Sequence, residues 1–206
     1  MKKIALVAVL ATSAAMAAPF NGFSVGGDLG ASFNKFTSTE VDGTKITNKK
    51  TSFIGSLFVG YAKSFNNMFV GLDLGLGFEG KSKVSDKDSN GTVVGTDNLK
   101  PGVTFQMNPR VGYKVNDTMG AYFKLGMSVG KNEWKYKTLT GVETVKGKKS
   151  VVSWTPTLGL EKAFGNVSMR GELGYKLSGK KKVYDQYEGT MKRNAIILTA
   201  GVAYNF

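Results

Sequence analysis

The chain of 206 residues contains no cysteine and no histidine. Without cysteine there is no disulfide framework, thiolate metal site, cysteine nucleophile or lipid-modified N-terminal cysteine. Without either residue, zinc sites and Ser-His or Cys-His catalysis are excluded, and any chemistry would fall to carboxylates, lysine or tyrosine. Proline is scarce, at four residues, whereas the 27 glycines argue against a helical bundle. Beyond the N-terminus there is no apolar run of about eighteen residues, so no transmembrane helix is encoded. Any crossing of a membrane would have to be made by strands.

The first residues, "MKKIALVAVLATSAAMAAPF", combine a basic start at Lys2 and Lys3, an apolar run from Ile4 to Ala11 and small residues ending in Ala15, Met16 and Ala17. This predicts a secretory signal peptide over residues 1–17. Residues 18–206 then form one domain by length.

What is present is alternation. In "MFVGLDLGLGFEG" Met68, Val70, Leu72, Leu74, Leu76 and Phe78 occupy every second place, with Phe69, Gly71, Asp73, Gly75, Gly77 and Glu79 between them. Successive side chains of a strand point to opposite faces, so period two predicts a β-strand. Seven further segments alternate in the same way, around Phe23–Phe33, Phe53–Tyr61, Val103–Lys114, Ala121–Val129, Val152–Leu160, Val167–Leu177 and Ile196–Phe206. The second is less clean, because Ile54 and Phe58 share its more polar face. Where a strand carries several charges they share one parity: Asp73 and Glu79; Arg110 and Lys114; Arg170, Glu172 and Lys176.

The connections alternate in length. Residues 34–51, 80–102, 131–150 and 178–193 are long, polar and lysine-rich, while "KSFNN" (63–67), "NDT" (116–118) and "AFGN" (163–166) have the composition of tight turns. Aromatic residues gather at the strand ends, with Phe23, Tyr61, Tyr113, Phe123, Tyr204 and Phe206 toward the turns and Phe33, Phe53, Phe78, Phe105, Trp154 and Tyr175 toward the loops. Two such girdles suit the headgroup levels of a bilayer. Pro109 and Pro156 each remove a ladder donor and are expected to mark bulges. A soluble lipocalin-like barrel would show its charges outside and enclose an apolar cavity. Here one face is glycine-rich and charged and the other is nearly continuous Leu, Val, Met and Phe, which is stable only in lipid. The fold class expected is all-β: an eight-stranded antiparallel up-and-down transmembrane β-barrel with four long extracellular loops and three short periplasmic turns.

The terminal "GVAYNF", with Phe206 last and Tyr204 two places before it, resembles the C-terminal signal read by the outer-membrane assembly machinery. With its eight strands and four long loops, the chain resembles the small barrel family of OmpA-like and OmpX-like proteins, which includes Opa-like and Ail-like surface adhesins. The resemblance implies residence in the bacterial outer membrane, reached through the periplasm, and contact with outer-membrane lipid and lipopolysaccharide as a monomer. Enzymatic small barrels use a histidine, which this chain lacks. Glu79, Asp86 and Asp88 near one rim could act as acid and base in principle, but a solvated loop is the plainer reading. No enzyme, cofactor or metal is expected.

Two sets of residues remain as candidate sites. Asp28, Asp73, Arg110, Lys124 and Glu172 lie about five residues from the turn side, with Arg170 close by, which places them in one layer near mid-membrane. In so narrow an interior they should pair and block the bore, either as filling or as a gate. The four long segments hold 19 Lys and Arg against nine acids. Their densest patches are "VKGKKS", with Lys146, Lys148 and Lys149, and "GKKK", with Lys180, Lys181 and Lys182. These lysines could pair with outer-leaflet phosphates. They could equally bind host or environmental polyanions by charge attraction. A structural or adhesin surface barrel is the expected function, and a small-solute porin-like channel is the alternative.

Overall fold

The computed structural model describes residues 20–39, 45–80, 82–87, 93–138, 143–179, 181–182 and 190–206. The predicted signal peptide, residues 1–17, lies outside them. The strands are β1 (Gly22–Thr39), β2 (Lys45–Phe65), β3 (Met68–Glu79), β4 (Ser82–Lys87), β5 (Val93–Lys114), β6 (Met119–Thr138), β7 (Glu143–Phe164), β8 (Val167–Ser178), β9 (Lys181–Lys182) and β10 (Thr190–Asn205). Eight of them close a barrel in the order β1-β2-β3-β5-β6-β7-β8-β10, with β10 pairing back onto β1 and every pairing antiparallel. The short β4 and β9 follow β3 and β8 on the loop side, where they pair with β5 and β10.

The register fixes the dimensions. Paired residues run once around the barrel from Gly22 through Ala62, Gly71, Arg110, Lys124, Thr157, Gly174 and Ile197 to Ser32, ten residues further along β1. With a rise of about 3.3 Å per residue and strands about 4.8 Å apart, that stagger tilts the strands by about 40° and gives a radius of roughly 8 Å. Such a bore has room for side chains and little else.

Burial follows the alternation. On β3 the side chains of Met68, Val70, Leu72, Leu74, Leu76 and Phe78 are exposed, whereas Phe69 and Asp73 are fully buried. The barrel is therefore inverted relative to a soluble protein, apolar outside and charged inside, and closure satisfies the backbone without water. Phe23 lies opposite Tyr61, with ring centroids 4.9 Å apart, and Phe33, Ile196 and Tyr175 are consecutive partners across β1, β10 and β8. Phe23 and Phe33 belong to the two aromatic girdles. The ten residue steps from one to the other span about 25 Å along the axis, the height of an outer-membrane apolar band.

The turns join adjacent strands tightly. Asn66 and Gly165 take the left-handed conformation, at φ 52° and 63°, and Asn116 Oδ1 accepts from the Thr118 and Met119 amides at 3.0 and 2.8 Å. The loop side differs from expectation. Strand pairing continues into the segments read as loops, up to Thr39 with Lys45 and to Lys137 with Glu143. In sequence those segments mix polar residues into both parities, so the apolar contrast that reveals a strand is missing.

The prolines differ too. Pro109 pairs with Leu72 and Pro156 with Leu125, and the register is the same on either side of each. Neither marks a bulge. Bridges between β5 and β6 are simply absent at 108–109, and those between β7 and β8 at 155–156, which confines the lost donor to one side of each strand. A bulge on β5 falls instead between Pro101 and Thr104.

Candidate functional site in the barrel interior

The interior side chains assemble around Arg170 on β8. Its Nε and one terminal nitrogen donate to the two oxygens of Asp28 on β1, each at 2.7 Å, and the other terminal nitrogen donates to Asp73 Oδ2 on β3 at 2.9 Å. The guanidinium lies 3.9 Å over the ring of Phe58 on β2, a cation–π contact in a dry site. Phe58, which blurs the alternation of β2 in the sequence, is the floor of this ion cluster. Asp28 also accepts from the Ser56 hydroxyl at 2.9 Å. The close approach of Asp28 to β10 requires Gly201 opposite it, since a Cβ there would collide with the carboxylate.

Two further clusters abut this one. Arg110 on β5 donates to Glu161 Oε2 at 2.6 Å and lies 3.7 Å from Asp73, and Glu161 accepts from the Ser168 hydroxyl at 2.7 Å. On the other side Lys124 Nζ reaches both oxygens of Glu172, at 2.6 and 2.5 Å, while the Tyr122 hydroxyl donates to Glu172 at 2.6 Å. The Tyr122 ring packs over Gly159, where no side chain would fit. Glu172 and Arg170 are 3.8 Å apart, which makes the three clusters continuous. All of these charged side chains are buried.

Aromatic and polar layers cap the network at both ends. Toward the turns, Phe20 stacks on Phe69 at 4.6 Å, Phe69 meets Tyr122 edge-on, and the Arg110 guanidinium sits near both the Phe69 and Tyr122 rings. Toward the loops, Arg193 bonds Glu79 and Asn34, Lys176 lies 3.5 Å from Glu79, and Arg193 faces the Phe36 ring. The bore is thus occupied along its length by paired charges and rings. Among the described residues, no group of three or more acids converges to hold a metal ion.

Asp28, Asp73, Arg110, Lys124, Arg170 and Glu172, the six residues placed in one layer by strand position, meet in this network. Sequence reasoning left out Tyr122, Glu161, Phe58, Phe69 and Phe20. Glu161 shares the inward parity of β7, and an aromatic on the inward face is the signal that could have marked Phe58, Phe69 and Tyr122 as partners of buried guanidinium groups. Arg193, read as a loop residue, points into the barrel. Glu79 is bound to Arg193 and Lys176; the side chain of Asp86 and all of Asp88 lie outside the described residues. The backbones of Lys146, Lys148 and Lys149 lie on β7, opposite Lys135, Glu133 and Asn132, and those of Lys181 and Lys182 form β9. Lys180 and the side chains of all six lysines lie outside the described residues. Tyr204 is exposed and packs edge-on to Phe206 at 5.1 Å, and the Phe206 amide donates to the Phe23 carbonyl at 2.9 Å.

A closed barrel with a lipid-facing apolar wall and a charged, filled interior defines a transmembrane β-barrel of the outer-membrane type. Residues 4–206 match the outer membrane protein beta-barrel domain family, and the chain belongs to it. Its place is the bacterial outer membrane. Among solved structures, Neisserial surface protein A is similar at 16% identity, with 90% of this chain and 98% of that one covered and a TM-score of 0.52. The attachment invasion locus protein Ail of Yersinia pestis, in complex with the heparin analogue sucrose octasulfate, is 17% identical over 89% of this chain and 99% of its own, with a TM-score of 0.46. The outer membrane protease OmpT of Escherichia coli is 10% identical over 94% and 99% of the two chains, with a TM-score of 0.42. Such low identities bear on fold alone. No curated protein sequence matches the chain.

Proposed function

We propose that this protein is a surface barrel with a structural and adhesive role, whose lysine-rich extracellular hairpins bind polyanions. The carrying observation is the interior. Arg170, Arg110 and Lys124 are each held by buried carboxylates, and aromatic layers lie at the turn side, so among the described residues the bore is filled by paired charges and rings. That disfavours the porin-like reading and moves function to what the barrel displays. What it displays is basic: the four loop-side segments hold 19 Lys and Arg against nine acids. Charge at that density attracts sulfated or phosphorylated polymers and speeds their capture. The same reading assigns the C-terminal Tyr204 and Phe206 to the assembly machinery and lipopolysaccharide to the lipid partners.

The test is retention of the folded barrel on immobilised heparin. Wild type should bind and elute with rising salt, because exposed charges are screened over a Debye length of about 8 Å at physiological ionic strength. Neutralising Lys146, Lys148, Lys149, Lys180, Lys181 and Lys182 to glutamine should remove most of the retention. Unchanged elution of that variant would refute adhesion through these hairpins.

A further inference from the structure

Not every polar side chain of the interior joins the ion network. On the wall formed by β5, β6 and β7, loopward of Lys124, the inward positions hold Gln106, Asn108, Ser128 and Thr155, all uncharged and all half-buried. Gln106 is opposite Ser128, and Thr155 is opposite Gly126, two residues from Lys124 on β6. The four therefore share one patch, about 10 Å across the three strands and about 7 Å along them. The Gln106 amide lies over Gly77 of β3 and the Asn108 amide over Gly126, in places a Cβ would occupy, so both side chains fold against the wall instead of reaching across the bore. Thr104, the next inward residue of β5, donates to the Gly77 carbonyl at 3.2 Å and also stays close to the wall. In front of them is a recess, since side chains facing the axis of so narrow a barrel remain part-exposed only beside open space.

The surroundings of the recess are satisfied and its own groups are not. On other strands the buried Asn34 is bonded to Ser32, Ser52 and Arg193, and at the edge of the patch Ser153 pairs with Ser178. Lys124 and Glu172 hold each other at 2.5 Å at the turnward end, which is therefore blind and without net charge. Lys176, beside Thr155 on the next strand, is already 3.5 Å from Glu79. Among the described residues the side chains of Gln106, Asn108, Ser128 and Thr155 have no hydrogen-bond partner. A carboxamide donates through its nitrogen and accepts through its oxygen, and a hydroxyl does both. Two of each, side by side, match a ligand that carries several groups able to donate and accept. An ion would lose its hydration here without meeting an unpaired opposite charge in the patch. The mouth of a β-barrel, with a few convergent polar groups around a concave space, is a common setting for a small-molecule site.

We propose that this recess binds one uncharged polyhydroxylated ring, a neutral sugar residue, entering from the loop side. Gln106 and Asn108 take neighbouring hydroxyls of the ring, and Ser128 and Thr155 take those further round it. The site goes beyond the polyanion reading and uses none of the hairpin lysines.

The experiment is a titration of the isotope-labelled full-length barrel, folded in a zwitterionic detergent that carries no sugar, with glucose, galactose and N-acetylglucosamine, followed by NMR of the side-chain amides. Q106A and N108A, made singly, identify the two amide signals. In wild type both should shift in a saturable way with at least one of the three sugars. Q106A/N108A should weaken binding of that sugar by on the order of tenfold or more, as the loss of two or more neutral hydrogen bonds implies. T155V removes one hydroxyl and keeps the shape, so it should weaken binding severalfold and carries the test if the double variant fails to show the heat-dependent gel mobility of a folded barrel. A variant with Lys146, Lys148, Lys149, Lys180, Lys181 and Lys182 changed to glutamine should bind like wild type. The absence of a saturable shift with all three sugars would overturn the site, as would unchanged affinity in both recess variants. Tighter binding of glucuronate than of glucose would also overturn it, because charge and not the hydroxyl pattern would then govern recognition.

Discussion

Replacing Arg170 with methionine tests how far the interior network stabilises the barrel. The guanidinium supplies two charge-assisted bonds to Asp28 at 2.7 Å and one to Asp73 at 2.9 Å, and its side chain is 3% exposed. Each such bond contributes roughly 1.5–3 kcal/mol, and methionine fills most of the space over Phe58 without replacing any of them. Asp28 would keep only the Ser56 hydroxyl among the bonds described above, and Asp73 only Arg110 at 3.7 Å. Removing one partner of a buried pair costs about 3–5 kcal/mol, a large part of an ordinary stability margin. Lys124→Met should cost less, because Glu172 keeps the Tyr122 hydroxyl at 2.6 Å and Arg170 at 3.8 Å. Urea unfolding in phospholipid vesicles, followed by tryptophan fluorescence, measures both. Adding Asp28→Asn to Arg170→Met should recover part of the loss, since it removes the orphaned charge. A cost below about 1 kcal/mol for Arg170→Met, or a larger cost for Lys124→Met, would refute the reasoning.

Other outcomes follow from the outward and terminal residues. Single cysteines at Leu74 and Leu125, on the lipid-facing parity of β3 and β6, should resist a water-soluble maleimide in intact membranes; full labelling at both would contradict the inverted barrel. Phe206→Asp should slow assembly and leave periplasmic precursor, because it puts a charge beside Tyr204 at the lipid-facing end of β10. Wild-type levels of assembled protein in a heat-mobility gel would show that this terminus is not the signal.

The fold was legible because lipid imposes a one-sided demand. Asp73 can sit among Leu72, Leu74 and Leu76 only if it faces away from the hydrocarbon, and that parity propagates to every strand through the register. Arg110, Lys124, Arg170 and Glu172 could be placed together for the same reason: strand position gives height, and height in a narrow closed barrel gives proximity. The partners were less legible. Which carboxylate Arg110 takes depends on side-chain reach within the bore, and it takes Glu161, two strands away on β7, where strand position alone does not choose among the inward acids. Phe20 precedes β1, and its stacking on Phe69 leaves no period to read. The hairpin extensions were read as loops because their sequence mixes polar residues into both parities and shows no apolar side.

The most direct test of the account is the conductance of the reconstituted wild-type protein in a planar lipid bilayer. The paired interior predicts little or no steady current, and predicts that Arg110→Ala combined with Lys124→Ala, which leaves Glu161 and Glu172 without their cations, admits water and small ions. A stable, large, ion-selective conductance from the unmodified protein would contradict the closed interior and return the function to transport.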